Sequence, residues 1–373
     1  MRVRHPAIAA RTGFTLVEML VVIGIIAILM ALVTPAIFLV RANARSTECK
    51  SNLRQFGIVF RSYADRNHGR LCSGAWGWTS DGAATEVGWV ADAVNQNCQA
   101  GEMLCPANDA RGSVVLAELM TKTASDFTTC NTGLGSAAAT DPGGNPIMNP
   151  CRKILTAPLA AGSEERRALV ENDVVRLGYN TNYTSHYYLT RTAPLLTGDY
   201  EPRSSAPACG TGLTDKAATV GPLSDSAMAA IPANTVPLLG DGGLSSETLT
   251  VALGQVPAGM PLAASNSGGP RRPSDGQPAI PTGTTRPARW NEWAASVQDY
   301  RQFGDHHGGT INFLWADGSV RALADGNEDR VLNSGFDAGV APFADDKREI
   351  GYGTDQQAAT VYSLIDAQAQ KRH

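Results

Sequence analysis

The chain is poor in the residues and motifs with which most enzymes work. Its 373 residues include only six histidines, and two of these, His5 and His373, lie near the chain ends. There is no G-x-S-x-G elbow, Walker loop, H-E-x-x-H helix or Rossmann glycine fingerprint, so acyl transfer, nucleotide binding, zinc proteolysis and hydride transfer all lack their usual scaffolds. No enzymatic activity is expected. Charge is sparse at 18% of residues, with a formal net charge of −4, which argues against a nucleic-acid partner. The cysteines form no C-x-x-C pair and their spacings are irregular, so the usual zinc signatures are absent and no metal ligand set is read from the sequence.

The most informative absence is local. After Glu18 no charged residue occurs until Arg41. Residues 19–40 are almost entirely Leu, Ile, Val, Ala and Met, and as a helix they extend roughly 33 Å, enough to cross a hydrocarbon core about 30 Å thick. Arg2, Arg4 and Arg11 precede the run without an acidic residue, which keeps residues 1–13 on the cytoplasmic side. No A-x-A-type site follows the run, and it is longer than a secretory signal core, so an ordinary signal peptide is disfavoured. Glu18 needs its own explanation, because a carboxylate in a membrane span costs about 2.5–3.5 kcal/mol at the centre and less near an interface. Pro35 removes a backbone donor inside the span, so a bend or local unwinding is expected there.

The segment Gly13-Phe14-Thr15-Leu16-Val17-Glu18, heading this apolar run, resembles the processing signature of type IV prepilins and type II secretion pseudopilins. The resemblance implies cleavage after Gly13 by prepilin peptidase and an N-methylated Phe14 at the mature N-terminus. It implies a single-pass anchor in bacterial inner-membrane lipid, with the head in the periplasm or at the cell surface. It also implies assembly with other pilin or pseudopilin subunits, Glu18 attracting the Phe14 amine of a neighbour; pilins carry a proline at the place of Pro35. Two further segments extend the likeness. Cys49-Lys50-Ser51-Asn52-Leu53-Arg54-Gln55-Phe56-Gly57, with Cys105-Pro106 after it, and His307 followed by Asp317-Gly318 are similar to a prepilin-like group of unknown function named for its H-X9-DG motif. Residues 110–285 match that group only weakly.

Beyond the span, Cys49, Leu53, Phe56, Phe60 and Tyr63 recur every three or four residues, with Arg45, Lys50, Arg54, Arg61 and Asp65 around them. That stripe predicts a helix continuing to about residue 68 and ending near Gly69. The expected division is a cleaved leader over 1–13, a transmembrane helix over 14–40, its amphipathic continuation over 41–68, and an extracytoplasmic β-rich head over 69–373 with an exposed loop near 264–289. The fold class is α+β, a long N-terminal helix against an antiparallel sheet.

Within the head, the sequence predicts one helix in 152–177 with Ser163 near its start, a strand over 176–189, and a buried strand over 236–239 turning at Asp241-Gly242-Gly243. Residues 310–316 and 319–323 predict a hairpin with Asp317-Gly318 as a two-residue turn. Ten extended residues would hold His307 roughly 33 Å from Asp317, so the pair is no catalytic dyad and His307 reads as structural. Gly308-Gly309 reads as a close backbone approach, and Arg301, Asp305 and His306 as a polar group at a sheet edge. Asn182-Tyr183-Thr184 fits a glycosylation sequon.

All seven cysteines, Cys49, Cys72, Cys98, Cys105, Cys130, Cys151 and Cys209, fall on the exported side, where disulfides are the default and one thiol is left over. No cofactor is expected. Calcium is the one candidate, since major pseudopilins hold it in a C-terminal loop and Asp325-Gly326-Asn327-Glu328-Asp329 and Asp345-Asp346 are acidic, but their spacing is not that of an EF-hand. The leading functional expectation is a structural pseudopilin- or pilin-like subunit in a minor or tip role. The alternative is a processed but unpolymerised surface binding module that uses Trp76, Trp78, Trp89, Trp290 and Trp293 as an aromatic face.

Overall fold

The computed structural model describes residues 15–128, 131–157, 159–193, 195, 216–229, 231–267, 299–334, 343 and 349–350. Gly13, Phe14, the rest of the leader, Cys130, Cys209, Trp290, Trp293, Asp345, Asp346 and most of the 264–289 loop lie outside the described residues.

An apolar run followed by an amphipathic stripe gives one uninterrupted helix, α1, Leu16–Arg66, whose assignment continues through Pro35. The chain divides into two compact units, Met1–Arg45 and Ser46–His373. In the first, the large apolar side chains between Leu16 and Val40 are 44–80% exposed, and the most apolar 18-residue stretch has a mean hydropathy of 3.0. Such a surface is unstable in water and suited to lipid or to copies of itself.

In the second unit, α1 buries Cys49, Asn52, Leu53, Phe56, Gly57, Phe60 and Ala64, and Tyr63 is half-buried. Phe56 meets Trp89 and Tyr183 edge-on, with ring centroids 5.5 and 5.8 Å apart. The helix stops where His68 adopts a left-handed φ of 56°. The Gly69 N–H then returns to the Ala64 carbonyl at 2.9 Å, a Schellman closure.

Eight strands are described: β1 (Ala139–Thr140), β2 (Pro146–Ile147), β3 (Tyr183–Ser185), β4 (Pro237–Asp241), β5 (Leu244–Thr248), β6 (Pro261–Ala263), β7 (Thr310–Trp315) and β8 (Val320–Ala324). Four form the central antiparallel sheet in the order β3-β4-β7-β8, while β1 pairs with β2 and β5 with β6. Short helices surround the sheet: α2 (Trp89–Val94), α3 (Val114–Thr121), α4 (Pro150–Thr156), α5 (Glu164–Asp173), α6 (Tyr187–Arg191) and α7 (Asp225–Met228). The protein is therefore α+β, with a long N-terminal helix and antiparallel sheets. α1 lies close on the sheet at Gly57, where an added Cβ would stand 3.0 Å from Leu314 Cδ1 of β7.

The details depart from the sequence expectations in four places. The segment 152–177 holds the expected helix starting after Ser163, α5, and in addition the end of α4, which the sequence reading did not foresee; Pro158 stands between them in the sequence, and a proline cannot continue a helical ladder. Ser163 does cap α5, accepting the Arg166 N–H at 3.3 Å. Of 176–189 only β3 is extended, because His186 caps α6 by accepting the Tyr188 N–H on Nδ1 at 3.3 Å. The turn between β7 and β8 has three residues, Ala316, Asp317 and Gly318, closed by Gly318 N–H to Trp315 O and Trp315 N–H to Ser319 O, both 2.9 Å. A two-residue hairpin turn would need positive φ at Asp317, alone or together with Gly318, but only Gly318 has it, at 83°; this is the three-residue loop with a left-handed last residue. Gly308 and Gly309 have φ of 67° and 80° with nothing within 4 Å of an added Cβ. They serve the backbone's handedness, not a close approach.

Candidate functional site

Two places gather the residues singled out by the sequence: the start of α1, and the end of the sheet where β4 finishes and β7 begins.

At the start of α1, Thr15 and Glu18 satisfy each other's backbone. Glu18 Oε2 accepts the Thr15 N–H at 2.8 Å and the Thr15 hydroxyl at 2.7 Å, and Thr15 Oγ1 accepts the Glu18 N–H at 3.2 Å. This reciprocal pair is a capping box. Glu18 thus has a local structural role besides any role in assembly, and it keeps its carboxylate at the extreme end of the apolar run.

The second place is assembled from four distant segments. Cys49 stands on the buried face of α1, Cys105 on the loop after the short turn Ala100–Glu102, Asp241 at the end of β4, and His307 in the loop entering β7. One donor atom from each lies within 4.8 Å of all the others. Cys49 Sγ is 2.6 Å from Asp241 Oδ1, His307 Nε2 is 3.3 Å from Asp241 Oδ2 and 3.5 Å from Cys105 Sγ. Cys49 and Cys105 are 0% exposed; the side chains of Asp241 and His307 are 0% and 2% exposed.

The loops are held by dense polar contacts. Asn182 Oδ1 accepts the Cys105 N–H at 2.8 Å while its Nδ2 donates to Cys105 O at 3.0 Å, and Asn108 Nδ2 donates to Gly242 O at 2.8 Å. Asp305 accepts the N–H groups of His307, Gly309 and Thr310, and His306 Nε2 bonds Gly242 O at 2.8 Å. Arg301 pairs with Asp299 at 3.0 Å. The polar group expected of Arg301, Asp305 and His306 is therefore engaged in shaping the loop that aims His307.

Electrostatics in this cluster follow from burial and proximity. Burial, the hydrogen bond with Cys105 and the Asp241 charge push the Cys49 thiol far above the usual thiol range. The hydrogen bond with Cys49 draws Cys105 down to about 7 against its burial, with His307 adding to the effect. Burial opposes charge on His307, yet its bonds to Asp241 and Cys105 outweigh it and raise the imidazole to about 10. Four ionisable groups so deeply buried are tolerated only when they compensate one another or hold an ion. A thiol-hydrolase relay is not formed, since such a relay sets the cysteine and the carboxylate on opposite ring nitrogens, whereas Nε2 of His307 faces both.

His307 and Asp317 stand at opposite ends of β7. Asp317 accepts the Ser319 N–H at 2.9 Å in the turn, so within the H-X9-DG segment only the histidine joins the cluster. Disulfides were expected, but the five described cysteines, Cys49, Cys72, Cys98, Cys105 and Cys151, are free thiols; Cys72 donates to Leu189 O and Cys151 accepts from Ala84 N–H, both at 3.3 Å. Asn182 of the sequon is 0% exposed, which closes it to a glycan. In the acidic loop Asp325 accepts the Glu328 and Arg330 N–H groups at 2.8 and 2.6 Å, which accounts for its carboxylate as turn chemistry. The sequence missed Asp241 as a cluster member; its Asp-Gly-Gly setting reads locally as a turn.

Comparison with known proteins bears on the first place. The prokaryotic N-terminal methylation motif matches residues 8–34, and no curated protein and no solved structure matches the chain. Over that segment, which includes Glu18 and most of the exposed apolar helix, the chain is similar to prepilins.

Proposed function

We propose that the protein is a structural subunit of pilin or pseudopilin type in a type II secretion or type IV pilus-like assembly. One observation carries the reading: the methylation motif at residues 8–34 coincides with the half of α1 whose large apolar side chains are 44–80% exposed. An anchor of this kind holds the chain in the inner membrane and offers a continuous apolar face to neighbouring subunits. Prepilin peptidase cuts after Gly13 and methylates Phe14, and Glu18 pairs with the Phe14 amine of a neighbour. A head built from most of a 373-residue chain is too bulky for a densely packed filament surface, which favours a minor or tip position. The aromatic binding face finds no support in Trp76, Trp78 and Trp89, all 0% exposed.

Intact mass and N-terminal sequencing of protein purified from membranes, with and without the prepilin peptidase, tests the proposal. The expected product begins at methylated Phe14 only when the peptidase is present. A chain that keeps Met1, or one cut near Pro35, overturns it.

A further inference from the structure

The cluster at the end of the sheet lies outside residues 8–34, which carry the methylation motif, and its chemistry is that of a metal centre. We propose that Cys49, Cys105, Asp241 and His307 bind one zinc(II) ion in a closed, four-coordinate structural site. The donor set is two thiolates, one imidazole and one carboxylate, a combination suited to zinc and foreign to magnesium or calcium, which take oxygen.

Geometry supports the assignment. Zinc bonds of about 2.3 Å to sulfur and about 2.0–2.2 Å to nitrogen or oxygen, arranged tetrahedrally, place neighbouring donors about 3.3–3.8 Å apart. Cys105 Sγ and His307 Nε2 are 3.5 Å apart, and His307 Nε2 and Asp241 Oδ2 are 3.3 Å apart. Cys49 Sγ stands 2.6 Å from Asp241 Oδ1, closer than two donors of one ion, so Asp241 would bind through Oδ2 and Cys49 Sγ would draw back from Oδ1 as the ion enters; one donor atom from each of the four residues lies within 4.8 Å of the others. Outer contacts match as well. Asn312 donates its backbone N–H to Asp241 Oδ2 at 2.8 Å and its side-chain amide to Cys49 Sγ at 3.7 Å, as groups behind metal ligands do. A plain disulfide between Cys49 and Cys105 would leave the convergence of Asp241 and His307 on the same point without a purpose.

All four positions of the ion are filled by protein, and every ligand side chain is at most 2% exposed, so the site is structural and offers no place to a substrate. Binding needs both cysteines as thiolates and His307 with Nε2 unprotonated, so any protons on these atoms pass to solvent as the ion enters. The ion would tie α1, the Cys105 loop, β4 and the entry to β7 together. These are the segments that carry the Cys-x-x-Asn, Cys-Pro, Asp-Gly-Gly and His-Gly-Gly sequences.

The test uses the full chain in detergent, purified without chelator, with elemental analysis for zinc and thiol mapping by alkylation and mass spectrometry. About one zinc per chain is expected, with Cys49 and Cys105 protected from alkylation until a strong chelator is added. Cobalt(II) added to the chelated protein should give the intense visible bands of a tetrahedral thiolate site. Cys105→Ser and His307→Gln should weaken metal retention by at least tenfold, while Cys98→Ser, outside the cluster, should not. Should the ligand variants fail to fold, the chelated wild-type chain still carries the test. Failure of that chain to take up zinc or cobalt, or a Cys49–Cys105 disulfide in protein taken directly from membranes, overturns the proposal. Neither result touches the pilin-type reading, which rests on residues 8–34.

Discussion

Glu18 occupies the third helical position behind an N-cap at Thr15, and that placement separates two explanations for a carboxylate at the head of an apolar run. As a capping-box partner it satisfies a backbone donor that the helix leaves open, a contribution of about 1 kcal/mol. As a charge it would draw a neighbour's N-terminal amine into lipid. Glutamine keeps the first role and loses the second, since both Glu and Gln serve at this position of the box. Glu18→Gln should therefore leave membrane insertion and head stability unchanged while abolishing co-assembly with partner subunits, measured by crosslinking in membranes. Glu18→Ala should lose assembly and fray the first turn. Assembly that survives Glu18→Gln but not Glu18→Ala would mean that capping, not charge, is what the position supplies.

A second residue sets a pH dependence in the head. Asp92 is 5% exposed, and burial raises its carboxyl to about 6 from an ordinary 3.8, although the Ser73 N–H at 2.6 Å pulls the other way. Between those two values the folded chain holds a proton that the unfolded chain has released. Stability from this group therefore falls as pH rises from about 4 to 6, and it stays lost above that. Asp92→Asn removes the slope, and above pH 6 it should stabilise the head by something on the order of 2–3 kcal/mol. Thermal melts of the two chains from pH 4 to 7 should diverge with rising pH. A constant gap would show that Asp92 is ionised in the folded state across the range.

At the scale of elements, the contact of α1 with the sheet depends on Gly57 being small. A Cβ there would meet Leu314 Cδ1 at 3.0 Å, a flexible methyl that yields slightly, so Gly57→Ala gains helix propensity of about 1 kcal/mol and loses part of it to crowding. Gly57→Leu forces the helix off β7 and should destabilise by about 1–3 kcal/mol. Combining it with Leu314→Ala should restore part of that loss, a coupling that a double-mutant cycle in denaturant reads directly. Additive effects would mean that α1 does not rest on β7 at this point.

The same elements show what could be read from the chain and what could not. The long helix was legible because its signals are local: an uncharged run, then Cys49, Leu53, Phe56 and Phe60 at helical spacing. The β7–β8 hairpin was legible from alternation and from Asp317-Gly318, although its loop is one residue longer than that dipeptide suggests. β3 was legible only as part of a longer strand over 176–189, because three extended residues owe their limits to pairing with β4 and not to any pattern of their own; the last two of the tyrosines that suggested the strand enter α6. The cluster was illegible for a related reason. Cys49 reads as a core position of a helix, Asp241 as a turn acid and His307 as a strand-end residue, and no short window holds two of them. Only the sheet order β3-β4-β7-β8, with α1 laid against it, brings them together.

For the whole molecule, the division at Arg45 separates two kinds of stability. The Met1–Arg45 unit has no apolar interior of its own among the described residues, and its helix needs lipid or neighbouring subunits. The Ser46–His373 unit encloses a large core that runs from Leu53, Phe56 and Phe60 of α1 to Phe313 and Trp315 of β7, and a core of that kind needs neither. A chain beginning at Arg41, which keeps about two turns of helix ahead of Cys49, should therefore be soluble without detergent, stay monomeric on gel filtration and melt cooperatively. Its melting temperature should match that of the full chain in mild detergent, since the core residues of α1 begin at Cys49. The full chain should instead fractionate with membranes and enter assemblies through its first unit. A truncated chain that aggregates, or melts without cooperativity, would mean that the head borrows stability from the stalk and that the protein is not an independent domain carried on an anchor.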